Sequence, residues 1–282
     1  MYLKKSGYIL VILLSGIFFN AFKSPDSPNP VILLNQMFDS ITRIKSLKLH
    51  INALERVEKT YLTAKSEIKL QTKPRRLYFV NRQKKIEILY NDGEINNKAL
   101  IKSNYMPTIS LDPTGNMMRK NQHYTIHELG FEFIGKSIAL TIAKDKEGIK
   151  NFKYLSKQKK FGYNCHIIQY ENNNYNYVDY IVGEKETASS IALKLVVNDY
   201  LLRYNNDLLN DFGYLKKGKR LIVPNLYCKK AILYIDDIMM VPVAVYIFDN
   251  MGLYESYEYP KIEINPIIKN EEFTKGFKEY RF

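Results

Sequence analysis

The sequence predicts an α+β protein in which a curved antiparallel sheet, a half-barrel with covering helices, is interrupted by a small inserted β-α-α-β unit. Three observations predict it. Segments with period-two apolar alternation follow one another through joins too short for crossover helices, which makes neighbouring strands antiparallel. Two longer segments carry apolar residues at helical spacing and so have one face to bury on a sheet. Between Tyr180 and Pro224 the order changes to strand, helix, helix, strand within 45 residues.

Lys4 and Lys5 precede an apolar run, Tyr8 to Phe19, that is short for a membrane span and reads as a secretory leader over residues 1–24. No cysteine stands near its end, so a lipid-modified N-terminal cysteine is not expected, and the protein is placed in the periplasm or cell envelope. Asn29-Pro30 opens a helix over Val31 to Leu47, with Leu34, Met37, Phe38, Ile41 and Ile44 on one stripe. Five strands follow: Lys48 to Glu58, Thr60 to Lys73, Arg76 to Arg82, Lys84 to Tyr90 and Glu94 to Lys102. Asn91-Asp92-Gly93 supplies the positive-φ turn before the last of them. Ser103 to Asn116, with two prolines, reads as irregular. Ile126, Leu129, Phe133, Ile134, Ile138 and Ile142 mark a second helix reaching Lys144. Strands resume at Phe152 to Lys157 and Tyr163 to Glu171, and after the insert at Tyr227 to Asp236, Pro242 to Asp249 and Leu253 to Tyr259.

The insert begins with a strand at Tyr180 to Val182. Thr187 caps a first helix and Asn198 a second that ends near Tyr204. Arg220 to Val223 is its last strand, stopped by Pro224. The organisation is thus a host, residues 25–177 with 226–282, and an insertion at 178–225 set at the end of a host hairpin, so that the host is expected to fold without it.

The formal net charge is +13, yet the insertion holds five Lys and two Arg against four Asp and two Glu. The basic excess therefore lies on the host, at Lys73 to Arg76, Arg82 to Lys85, Lys157 to Lys160 and Lys229-Lys230. Outside the cytoplasm such clusters fit anionic head groups or cell-wall polymers rather than nucleic acid, or simply a solvated strand face. Cys165 and Cys228 flank the insertion. If their strands pair as one hairpin, they stand about five residues apart, roughly 17 Å at ~3.4 Å per residue. A disulfide does not span that distance, so two free thiols are expected.

The frame of Tyr180 to Pro224 resembles a LysM domain, a module that binds N-acetylglucosamine glycans such as peptidoglycan. That resemblance implies glycan contacts from Gly183, Glu184, Lys185, Glu186, Thr187 and Ala188 in one loop and Asn205, Asn206, Asp207 and Leu208 in the other. The sequence departs from the family there: Lys185-Glu186-Thr187-Ala188 stands for Gly-Asp-Thr-Leu, and Asn205-Asn206 for Asn-Pro. Loss of the Gly bears on a positive-φ position. The arrangement of the host resembles LolA-like carriers, whose unclosed barrel holds lipoprotein acyl chains. Leu111 to Gly135, LDPTGNMMRKNQHYTIHELGFEFIG, is similar to the signature of an uncharacterised bacterial envelope family, a domain of unknown function. Leu33 to Asp39 and Glu271 to Thr274 are similar to it as well.

Five host residues are candidates for a functional rim: Asp112, Arg119, Lys120, His123 and His127. The two histidines fall at i and i+4 of the second helix, but Phe131 stands where a zinc peptidase places its second His. No metal, cofactor or catalytic residue is expected. The resulting reading is a noncatalytic envelope protein that binds peptidoglycan through its insertion and a lipid or lipoprotein acyl chain through its host. A LysM-targeted cell-wall hydrolase and a structural envelope adaptor are the alternatives.

Overall fold

The computed structural model describes residues 27–104, 106–144 and 148–282, so the leader assigned to residues 1–24 lies outside the described residues. Helix α1 (Pro30–Thr42) starts where Asn29 accepts a hydrogen bond from the Val31 N–H at 2.9 Å, and it buries Leu33, Leu34, Met37 and Ile41 on the sheet. A meander follows: β1 (Ser46–Val57), β2 (Thr60–Gln71), β3 (Arg76–Asn81), β4 (Ile86–Asn91), β5 (Ala99–Ser103) and β6 (Met106–Leu111). Then come α2 (Asn116–Arg119), α3 (Glu132–Lys144), β7 (Phe152–Lys160) and β8 (Tyr163–Glu171). The inserted unit is β9 (Tyr177–Ile181), α4 (Ala188–Leu195), α5 (Asp199–Tyr204) and β10 (Arg220–Pro224). Strands β11 (Lys230–Asp236), β12 (Pro242–Asp249) and β13 (Gly252–Ile264) complete the sheet.

Among the described residues the main sheet has eleven strands in the order β6-β5-β4-β3-β2-β1-β13-β12-β11-β8-β7, each pair antiparallel. The sheet is curved and unclosed, with α1 and α3 on its concave side. Gly135 of α3 permits their contact, because a Cβ there would lie 3.3 Å from Ile41. Strands β8 and β11 pair directly, Glu171 opposite Lys230, so β9 to β10 leave and re-enter the sheet between neighbouring strands. Cys165 faces Asp236 across that pair and Cys228 precedes β11; both are free, buried thiols.

Several expectations are corrected. The first helix stops at Thr42 and β1 takes up the chain from Ser46. The segment after Ser103 forms edge strand β6, where Pro107 is tolerated because an edge leaves one side of its backbone unpaired. The strand expected from Glu94 begins only at Ala99, after a short 3-10 turn at Ile95–Asn97. The second helix is not continuous from Ile126: a 3-10 turn spans Ile126–Glu128, and Gly130 at φ +101 redirects the chain before α3. A Cβ on Gly130 would lie 2.9 Å from Leu70, so this close approach also requires glycine. His123 and His127 therefore do not share a helix face.

The inserted unit has its own apolar cluster, including Ile191, Leu202, Leu208 and Leu221. It stands at the end of the β8–β11 hairpin, as expected, and is also seated on the host. Tyr200 and Leu201 of α5 bury against Val57 and Tyr254 of the sheet. Arg119 of α2 bonds Ser189 at 2.6 Å and pairs with Asp199.

Candidate functional site

Under α3 the concave face is lined with small residues. Register places Ala53 opposite Ala64 and Ile51 opposite Ser66, while Ala231 lies on β11 and Ser137 and Thr141 face inward from the helix. Side chains this short do not fill the space between helix and sheet, and a cavity of about 190 Å³ remains. Its walls are mainly apolar, with Phe79, Phe133, Ile134, Ile138 and Val245 among them. An apolar cavity of about 150 Å³ stays dry and accepts benzene, so this one suits a length of hydrocarbon. Leu62, Lys84, Asn121 and Gln122 are exposed members of the lining and mark its mouth.

One wall is polar. The alternation that turns Ile51 and Ala53 inward also turns Glu55 inward, and the β1–β13 register sets it opposite Glu255, which is fully buried at 0% exposure. Tyr124 donates its hydroxyl to Glu255 and lies 2.5 Å from the hydroxyl of Tyr227. Tyr257 donates to Glu55. Behind this wall is His123, whose Nδ1 meets Glu255 Oε2 at 2.6 Å and whose Nε2 meets the Arg56 carbonyl at 3.1 Å. Both partners are acceptors, so the ring donates from both nitrogens as an imidazolium.

Burial pushes the His123 pKa down, but its bond to Glu255 and the charges of Glu255 and Glu55 outweigh this and hold it above the ordinary value. Burial raises Glu55 as well, against the influence of His123. Burial also holds Tyr124, Tyr227 and Tyr257 far above the usual phenol range. A raised histidine stabilises the folded state fully below its unfolded pKa of about 6.5, and this is lost as pH rises through the higher folded value. The thermal midpoint of the protein should therefore fall as pH rises above about 6.5, with the step absent in His123→Gln. A wild-type profile flat over that window would show a neutral ring.

The same histidine ties the cavity to the inserted unit. Its ring stacks at 4.4 Å on Tyr254 of β13 and at 4.8 Å on Tyr200 of α5. The Tyr200 hydroxyl accepts from the Glu58 N–H at 3.0 Å, and the Tyr254 hydroxyl donates to Asn198, the cap of α5, at 3.0 Å.

The five rim candidates are dispersed. His123 is buried behind the polar wall, at 4% exposure, rather than on a rim. His127 is exposed and meets Tyr90 edge-on at 5.0 Å; burial and the Arg75 charge lower its pKa. Asp112 accepts from the Thr114 N–H and hydroxyl, both at 2.7 Å, which lowers its pKa and closes a local turn. Arg119 belongs to the seat of the inserted unit, and Lys120 is exposed. The sequence reading missed Glu55, Glu255, Tyr124, Tyr227 and Tyr257. A signal existed: Leu49, Ile51 and Ala53 point inward, so period two puts the carboxylate of Glu55 on the same face.

Of the ten loop residues, Glu184, Lys185 and Asp207 are exposed, Ala188 and Leu208 are buried, and the others are half-buried. Glu186 accepts from the Gly183 N–H at 2.7 Å and from Tyr180 and Lys194, which lowers its pKa to about 2. Thr187 caps α4 by accepting from the Ser190 N–H at 3.1 Å. Asn206 spans α5 and β10, donating to the Leu202 and Ile222 carbonyls and accepting from the Ile222 N–H at 2.7 Å. Lys185 adopts φ +54, so the left-handed geometry is retained without a glycine, at a cost of roughly 1 kcal/mol. The host reaches this region: Arg119 contacts Ser189 and lies 5.5 Å above the Phe212 ring.

Residues 44–181 match DUF1571, a family described as protein of unknown function. The match takes in Leu111 to Gly135 and the whole of β1 to β9, and leaves out α1 and β10 to β13. No curated protein matches the chain. Solved structures similar to it include the MucA/MucB complex of Pseudomonas aeruginosa, at 6% identity and a TM-score of 0.40 over 88% of this chain and 62% of that one. LprF from Mycobacterium bovis is similar at 11% identity and a TM-score of 0.44, covering 86% and 97% of the two chains. A putative outer membrane lipoprotein-sorting protein domain from Vibrio parahaemolyticus is similar at 7% and 0.34, covering 87% and 96%. The chain thus spans less than two thirds of the MucB-complex chain.

Proposed function

We propose that this is a noncatalytic cell-envelope protein whose host domain takes the acyl chain of a lipid or lipoprotein into the cavity beneath α3. The observation that carries the reading is that cavity: apolar walls, small side chains on both layers and an exposed mouth. Each methylene moved from water into it contributes about 0.8 kcal/mol, so a chain of modest length binds without any covalent chemistry. The absence of catalysis is supported by the chemistry of the wall. His123 has no free lone pair, and burial raises the thiol pKa of Cys165 to about 11 and that of Cys228 further still.

The inserted unit is assigned to N-acetylglucosamine glycan of the peptidoglycan type, through the loops at Gly183 to Ala188 and Asn205 to Leu208. The support is the β-α-α-β order with capped helices at Thr187 and Asn198.

Both halves have direct tests. Organic extraction of the purified protein, followed by mass spectrometry, should release lipid in near-stoichiometric amount, and a delipidated sample should take up a dansylated long-chain alcohol with a rise in fluorescence. A lipid-free protein that gives no rise would refute carriage. For the insertion, the full chain should sediment with purified peptidoglycan at low salt and be released by soluble chitooligosaccharide. A chain left wholly in the supernatant would remove the glycan assignment.

A further inference from the structure

The polar wall of the cavity has a one-sided hydrogen-bonding balance. Tyr124 gives its proton to Glu255, so the proton between Tyr124 and Tyr227 is the one that Tyr227 donates. Tyr257 gives its proton to Glu55, and His123 gives one to Glu255 and one to the Arg56 carbonyl. Every side-chain donor in the network is spent within it. What the wall can still offer is acceptor capacity, on the phenol oxygens of Tyr227 and Tyr257 and on the carboxylate of Glu55, all of which line the cavity. Glu55 and Glu255 also face each other across the β1–β13 pair, with His123 bonded to Glu255 from behind the wall. An incoming anion would meet two carboxylates at this wall, while the hydroxyls of Ser66, Ser137 and Thr141 line the cavity elsewhere.

We propose that the ligand of this cavity is a single-chain amphiphile whose head is a hydrogen-bond donor, an alcohol or a protonated amine, and that Glu55 selects it against an acidic head. This deepens the acyl-chain reading and rests on it: the tail occupies the apolar space under α3 and the head engages Glu55 and the two phenol oxygens. Lys84 at the mouth is the competing influence, because an exposed ammonium there would favour an acidic head lying outward.

The test is calorimetric titration of the delipidated full chain at neutral pH with three probes that share one tail: 1-dodecanol, dodecylamine and dodecanoate. The alcohol and the amine should bind at least about tenfold tighter than the acid, the ratio that one hydrogen bond to a charged group supports. In Glu55→Gln the advantage of the amine over the acid should shrink to a fewfold, while Lys84→Gln should leave the order unchanged. Equal or tighter binding of dodecanoate in the wild type overturns the head-group assignment, and its loss in Lys84→Gln would place the head at the mouth. Binding by none of the three overturns the cavity reading itself, and this proposal with it. The wild-type comparison needs no variant to fold.

Discussion

Replacing His123 with alanine should destabilise the protein by about 3–5 kcal/mol, the cost of leaving one member of a buried ion pair without its partner. Glu255 is buried from water, and the imidazole hydrogen-bonds it together with Tyr124. The loss does not stop at the charge. The ring also fills the slot between Tyr254 and Tyr200, so its removal takes away the surface on which α5 rests. Urea unfolding measures the first effect. Hydrogen exchange across α4 and α5 measures the second, and protection there should fall further than in α1. His123→Gln, which keeps a donor toward Glu255, should recover part of the stability. A loss below about 1 kcal/mol for His123→Ala would mean that Glu255 is not held as a buried carboxylate.

Filling the cavity should have the second largest effect, on binding rather than on folding. Ala64 lies on β2 opposite Ala53, with its Cβ in the lining. Ala64→Phe places a ring where the acyl chain is assigned. Overpacking a filled core costs about 1–3 kcal/mol, but here there is space, so the midpoint of unfolding should move by less than that. Co-purifying lipid and the fluorescence of a bound dansylated long-chain alcohol should both drop to background. A folded Ala64→Phe protein that retains its full lipid content would place the ligand outside this cavity.

Much of the architecture was legible wherever a strand buries a single face. Strands with a single buried face keep a period of two, and β1 over Ser46 to Ile51, β2 over Ser66 to Gln71 and β11 over Lys230 to Ile235 show it. What escaped has specific causes. Gly130 breaks the second helix through its positive φ, and the close approach that requires glycine there comes from Leu70, sixty residues away in sequence and invisible to periodicity. Strand β6 is an edge strand with a proline, and its half-buried pattern resembles a loop. The polar wall escaped because its members come from four separate places, Glu55, Tyr124, Tyr227 and the Glu255–Tyr257 strand, which only strand register brings together. His123 was noticed for its spacing to His127, whereas its partners are Glu255, Tyr200 and Tyr254. The seat of the inserted unit was illegible for a similar reason: Arg119 and Asp199 form a pair across 80 residues.

The strand order also governs how the chain acquires its fold. Strand β1 sits near the centre of the sheet, yet one of its two neighbours is β13, with Leu47 opposite Ile264. That pairing joins residues 217 positions apart, so its loop-closure entropy is met late and slows folding. Until β13 emerges, a meander of β1 to β6 carries an open central edge with Leu47, Leu49 and Ile51 beside it, a surface prone to pairing with other chains. A chain stopped before β13 is therefore expected to aggregate rather than to fold as a smaller sheet, and synthesis of the last strand is the event that commits the protein to its native state.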